Sequence, residues 1–192
     1  DGVTGTGECT CAPNYWGYGC GNPCPLLDTP SGVCNAGQCD DGVNGTGNCI
    51  CPTSYRGVFC EWQCPGPVGN PCTGHGTCDD YGLCHCDSGY WGFNCSFTCP
   101  GFVAPVASGD NATVCSGNGY CDDGYMGTGI CQCHAAYYGP SCEKVCPGGA
   151  TSPCSGHGIC NSGASGSGTC NCDYGWWGTA CDTECPGGAA TP

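Results

Sequence analysis

Of the chain's 192 residues, 28 are cysteine, 38 glycine and 15 proline, a cysteine share well beyond the roughly 8–10 % that marks a disulfide scaffold. Only 9 % of residues are charged, and Leu, Ile, Val and Phe are scarce, so a single large apolar core is excluded and covalent cross-links must take its place. Two basic residues, Arg56 and Lys144, stand against 16 acidic ones for a formal charge of −14, a field that repels nucleic acid and anionic lipid alike.

Paired thiols at this density persist only in an oxidising compartment, so the expected location is extracellular, secreted or at the cell surface. The most apolar stretch, 101–107, is broken by Pro105 and falls far short of the about 18 apolar residues of a membrane span. Direct membrane insertion of this segment is not expected. The opening residues Asp1-Gly2-Val3-Thr4 lack the basic and apolar regions of a signal peptide.

Taken in chain order, the unit C-x-C-x8-C-x3-C recurs from Cys9, Cys49, Cys84, Cys131 and Cys170 with every internal spacing unchanged. Two further cysteines fall in each interval: Cys34 and Cys39, Cys72 and Cys78, Cys115 and Cys121, Cys154 and Cys160. Between them and the next unit run glycine-punctuated segments, such as Gly42, Gly45 and Gly47 or Gly124, Gly127 and Gly129, which predict short β-hairpins and little or no helix. Spacing alone leaves the pairing of six cysteines open.

The run C-x7-C-x5-C-x9-C-x-C-x8-C, read from Cys146 to Cys181, resembles an epidermal-growth-factor-like (EGF-like) repeat. The same register starts at Cys24, Cys64 and Cys99. The resemblance therefore implies a small disulfide-rich fold, a rod-like array of tandem EGF-like repeats. Its expected divisions are the C-terminal part of a repeat at 1–23, complete repeats at 24–63, 64–98, 99–145 (with a long first loop) and 146–184, and the start of another at 185–192.

EGF-like repeats join first to third, second to fourth and fifth to sixth cysteine. The pairs so implied are Cys11–Cys20, Cys24–Cys39, Cys34–Cys49, Cys51–Cys60, Cys64–Cys78, Cys72–Cys84 and Cys86–Cys95. Those of the later repeats are Cys99–Cys121, Cys115–Cys131, Cys133–Cys142, Cys146–Cys160, Cys154–Cys170 and Cys172–Cys181. Cys9 and Cys185 are left over, with partners expected outside the chain. Three-residue linkers such as Glu61-Trp62-Gln63 are too short for free rotation.

An aromatic pair before glycine marks the loop between fifth and sixth cysteines: Tyr15-Trp16, Tyr90-Trp91, Tyr137-Tyr138 and Trp176-Trp177, with Tyr55-Arg56 in the same place. The primary expectation is packing beside the disulfides. Exposure to a protein or glycan partner is the alternative, which makes Trp16, Trp91 and Trp177 contact candidates. Phe102, in the long loop 100–114, is a fourth.

The acidic D-x-D/N-E/Q run that precedes the first cysteine of calcium-binding EGF-like repeats is missing, so non-calcium repeats are expected. Asp40-Asp41, Asp79-Asp80 and Asp122-Asp123 read as solvated turns. With no C-x-x-C knuckle, metal is not expected, and no cofactor is implied. Phosphate-loop, nucleophile-elbow and H-E-x-x-H motifs are absent, so no catalytic residue is assigned. His75 and His157, in T-G-H-G and S-G-H-G, read as turn residues.

Asn44, Asn94 and Asn111 head N-x-S/T sequons, and by resemblance Thr77, just before Cys78, fits the O-fucose pattern. The glycine-rich G-x-G-x-C-x-C units and the Cys-Pro-Gly-Gly starts resemble the repeats of stabilin-type scavenger receptors and of algal mastigoneme proteins. The implied role is a structural extracellular segment that assembles into, or spaces, a fibre, sheath or surface appendage, with protein partners and self-assembly in view. The alternative is a ligand-binding ectodomain segment of an adhesion or scavenger receptor.

Overall fold

The computed structural model describes residues 10–26, 28, 30, 32–106 and 111–187. The chain divides into two compact units, residues 1–85 and 86–192. Among the described residues there are nine two-stranded sheets and none larger. Strands of two or three residues are what short segments between cross-links and glycine turns can form.

In the first unit, Tyr15–Trp16 pairs with Asn22–Pro23, Gln38–Cys39 with Cys49–Ile50, and Tyr55–Arg56 with Trp62–Gln63. Gly76–Cys78 pairs with the strand that begins at Cys84. The second unit repeats the same two kinds of hairpin. The larger kind joins Gly119–Cys121 to Cys131–Cys133 and Gly158–Cys160 to Cys170–Cys172. The smaller kind pairs Tyr90–Trp91 with Phe97–Thr98, Tyr137–Tyr138 with Lys144–Val145, and Trp176–Trp177 with Thr183–Glu184.

Thirteen disulfides cross-link the described residues. In the first unit they are Cys11–Cys20, Cys24–Cys39, Cys34–Cys49, Cys51–Cys60, Cys64–Cys78 and Cys72–Cys84. The second unit holds Cys86–Cys95, Cys99–Cys121, Cys115–Cys131, Cys133–Cys142, Cys146–Cys160, Cys154–Cys170 and Cys172–Cys181. Each complete set of six is thus joined first to third, second to fourth and fifth to sixth. Cys185 carries a free, half-buried thiol, and Cys9 lies outside the described residues.

The core is sulfur. Among the described residues, apart from Ala136 and Ser54, the buried ones with side chains are cysteines. In the second unit the sulfurs of Cys115, Cys131 and Cys142 lie within 4.8 Å of one another, with Val114 and Tyr137 packed against them. All three are committed to S–S bonds, so the cluster is two disulfides stacked together.

The second cysteine of each complete repeat adopts a left-handed backbone, with φ of +54° at Cys34, +53° at Cys72, +50° at Cys115 and +54° at Cys154. So does the sixth, for example Cys60 at +56° and Cys142 at +56°. An L residue there costs about 1–2 kcal/mol, and such a conformation persists only where its surroundings over-determine it. Here a disulfide on every such residue supplies the constraint. The second cysteines of three repeats lie in single 3-10 turns, Pro71–Gly74, Cys115–Gly117 and Pro153–Gly156.

Candidate inter-repeat interface

The best-defined side-chain constellation is the contact each small hairpin makes with the large hairpin of the next repeat. Three such junctions share one construction. At the first, Gly42 N–H donates to the Tyr15 carbonyl at 2.9 Å and Gly17 N–H donates back to the Gly42 carbonyl at 3.1 Å. At the second, the same exchange links Gly124 with Tyr90 and Gly92, at 2.9 and 3.1 Å. At the third it links Gly163 with Tyr137 and Gly139, at 2.9 and 3.2 Å. Each is a parallel β-bridge: Trp16 to Gly42, Trp91 to Gly124 and Tyr138 to Gly163.

Above each bridge a ring covers a buried glycine. Trp16 lies on Gly47, Trp91 on Gly129 and Tyr138 on Gly168, and in every case a Cβ would fall inside the ring. These glycines also have φ of +75°, +70° and +74°. Only a residue without a side chain satisfies both demands. The three glycines end the same G-x-x-G-x-G pattern, beginning at Gly42, Gly124 and Gly163, just before the fourth cysteine.

At the first two junctions carboxylates fix the shape of the receiving hairpin and its link to the preceding repeat. Asp40 Oδ2 accepts the Thr46 hydroxyl at 2.7 Å and the Thr46 N–H at 3.0 Å. Asp122 does the same with Thr128, at 2.6 and 3.1 Å. The threonine hydroxyl first, and its N–H second, hold both carboxyls below the usual carboxylate range. The neighbouring carboxylates reach the previous repeat: Asn14 N–H donates to Asp41 Oδ2, and Gly89 N–H to Asp123 Oδ2, each at 2.7 Å.

The second junction is reinforced. Trp91 stacks on Phe97 with centroids 4.7 Å apart, and its Nε1–H donates to the Thr98 carbonyl at 3.2 Å. Phe102, expected to offer a contact to a ligand, turns inward instead. Its ring covers Gly89 and meets Tyr90 edge-on with centroids 4.9 Å apart. The long loop is pinned there by the Val103–Thr113 bridge, with bonds of 2.8 and 3.0 Å, which draws Phe102 onto the preceding repeat and leaves Val103 exposed. At the third junction Lys144 Nζ stands 5.8 Å above the Tyr138 ring.

A fourth junction, between Tyr55-Arg56 and the next hairpin, is built differently. The turn Asp79–Leu83 is too short to carry the G-x-x-G-x-G segment, and it closes on itself through Asp79, whose Oδ1 accepts the Tyr81 and Leu83 N–H groups at 2.9 Å. The cross-strand pair is inverted too. Trp91 faces Phe97 and Tyr138 faces Lys144, whereas here Arg56 faces Trp62, so the ring sits on the linker strand. It is Trp62, through its Cβ, that approaches Gly82.

The remaining candidates are placed as follows. Trp177 is 57 % exposed, while its neighbour Trp176 stacks on His157 with centroids 3.4 Å apart. His75 and His157 cap the 3-10 turns through N–H bonds to Cys72 and Cys154. Asn44 is exposed on a hairpin tip and Asn111 in the long loop. Asn94 is half-buried beside the buried Cys95, with its Oδ1 closed off from solvent. Thr77 is exposed in the strand Gly76–Cys78.

Residues 64–95 match the family model of the EGF-like domain, and the hairpins and the disulfide order recur along the chain at the same cysteine positions. These are EGF-like repeats. No curated protein matches the chain. EGF-like repeats serve as extracellular structural or binding segments, and the fold is typically non-enzymatic. Among the described residues no helix is long and apolar enough to cross a membrane.

The inverted fourth junction was not apparent from aromatic recurrence, which grouped Tyr55-Arg56 with the true ring pairs. A signal was nevertheless present. Cys78 and Cys84 are closer in sequence than Cys121 and Cys131, so the EGF-like repeat at that position has no room for the receiving glycines.

Proposed function

We propose that this chain is a structural spacer of an extracellular assembly, a stretch of calcium-independent EGF-like repeats that builds or spaces a fibre, sheath or surface appendage of the mastigoneme kind. The observation that carries the reading is the recurring junction. Two backbone hydrogen bonds, a carboxylate-to-amide bond at two of the three junctions, and a ring seated on a buried glycine oppose hinge motion between neighbouring repeats. A display domain whose repeats move independently has no use for that construction.

The acidic pairs support calcium independence. Asp40 and Asp41, and likewise Asp122 and Asp123, direct their carboxylates to separate protein donors rather than toward one point, where calcium takes 6–8 oxygens. Self-assembly or a larger protein assembly is the corresponding partnership.

The test is electron microscopy of the native, unreduced parent material. Ordered fibres or hairs that contain this chain agree with the spacer; isolated flexible particles overturn it. One observation favours the second reading, a ligand-displaying receptor segment: Val103 and Val106 of the long loop are 60 % and 96 % exposed. On that reading, deletion of the loop abolishes ligand capture.

A further inference from the structure

The fourth junction leaves open what the first two fill. Asp80 holds the register of Asp41 and Asp123, two residues after the third cysteine of its repeat. Those two carboxylates accept backbone N–H groups of the preceding repeat. Asp80 makes no such bond. The residue that corresponds to Gly89 is here the buried Ser54, whose Oγ instead accepts the Gly69 N–H at 2.9 Å.

With no ring lying across the turn, a cleft of about 400 Å³ opens, lined by Gly57, Val58, Glu61, Trp62, Asp80 and Tyr81. Trp62 is 48 % and Tyr81 72 % exposed. Arg56, next in the chain to the lining residue Gly57, is already committed: its Nη1 donates to the carbonyls of Thr53 and Tyr55 at 2.9 and 2.8 Å.

We propose that this cleft receives the guanidinium of an arginine presented by a protein partner. A planar cation suits it on both counts. It stacks on the face of Trp62 or Tyr81, and its N–H fork matches the carboxylates of Glu61 and Asp80. Glu61 Oε2 accepts the Phe59 N–H at 2.8 Å, which orients the carboxylate while the second oxygen stays free for a ligand. The chain's charge of −14 steers a basic partner toward it. A neutral sugar would use the rings but not the two charges. The inference goes beyond the spacer reading and stands without it.

The experiment is a titration of the ¹⁵N-labelled, disulfide-intact chain with the blocked tripeptide Gly-Arg-Gly, its citrulline counterpart and the neutral sugar cellotriose. The arginine peptide should shift the Trp62 indole and the Val58 and Tyr81 amides, less so at raised salt. Asp80→Asn and Glu61→Gln, whose spectra elsewhere should stay unchanged, should each weaken binding roughly five-fold. Trp177→Ala should leave it intact.

Equal shifts with citrulline overturn the proposal, as do shifts scattered over the hairpins of Asp40 and Asp122, or no response at all. Shifts of Trp62 and Tyr81 by cellotriose but not by the arginine peptide also overturn it, and assign the cleft to glycans.

Discussion

Trp91 covers Gly129 across the boundary between two EGF-like repeats, so closely that the glycine has no space for a single methyl group. The indole is also stacked on Phe97 and bonded through its Nε1–H to the Thr98 carbonyl, two contacts that oppose its retreat. A glycine one turn earlier, Gly124, has a comparable backbone, φ +93°, but open space around it.

Gly124→Ala should therefore lose only the left-handed preference, about 1 kcal/mol. Gly129→Ala should add overpacking, for about 2–4 kcal/mol in all. The loss is confined to the junction because the disulfides hold each repeat by itself. Amide hydrogen exchange should show Gly92 and Gly124, whose N–H groups bridge the repeats, opening far faster in Gly129→Ala, with Cys131 and Cys133 unaffected. Equal exchange in the two variants would mean that the ring contact contributes nothing.

Asp122 makes the receiving hairpin sensitive to acid. Its carboxyl is held low by Thr128, so its folded value lies beneath the ordinary unfolded value of about 3.9. The stabilisation is then complete above about pH 4 and is lost as the pH falls through the folded value. Thr128→Val removes the larger cause and should bring the Asp122 titration, followed by its carboxyl ¹³C shift, back toward the ordinary range. An unmoved titration would contradict the hydrogen bond.

Cysteine spacing made the period, the hairpin positions and the sparse secondary structure legible, because cross-links decide the fold where no apolar core can. The partner of each ring was not. Trp16 and Gly47, or Trp91 and Gly129, lie in different repeats, and nothing local ties an aromatic to a glycine so far along the chain. The left-handed cysteines were equally hidden, since Cβ sterics argue against that backbone and only the disulfides on Cys34, Cys72 and their equivalents override it. The inward turn of Phe102 is hidden too, because its loop looks like a free insertion until the Val103–Thr113 bridge folds it back.

Glycosylation should separate the three sequons by access. Asn44 and Asn111 are exposed, and the chain expressed through a secretory pathway should carry glycan at both. Asn94, half-buried against the Cys86–Cys95 disulfide, should stay unmodified. Peptide mapping by mass spectrometry after enzymatic deglycosylation reads all three sites, and the same map tests Thr77 for O-fucose. Glycan on Asn94 would mean that modification precedes closure of that disulfide.

The inverted junction should be convertible into the common kind. Gly17, Gly92 and Gly139 each donate an N–H to the following repeat, and Gly57 holds the same place without that acceptor. Replacing Asp79–Leu83 by the segment 122–130 supplies the acceptor glycine and the glycine seat. Arg56→Trp supplies the ring, and Trp62→Phe restores the stacking partner seen at Phe97. With all three changes the Gly57 amide should exchange roughly five- to ten-fold more slowly, the protection that one added hydrogen bond gives. The hairpin replacement without Arg56→Trp should give less, because the bridge then forms under no ring. If Gly57 gains nothing from the full set, the junction depends on residues outside this constellation, and the coupling inferred at Trp16, Trp91 and Tyr138 does not reside in ring and glycine.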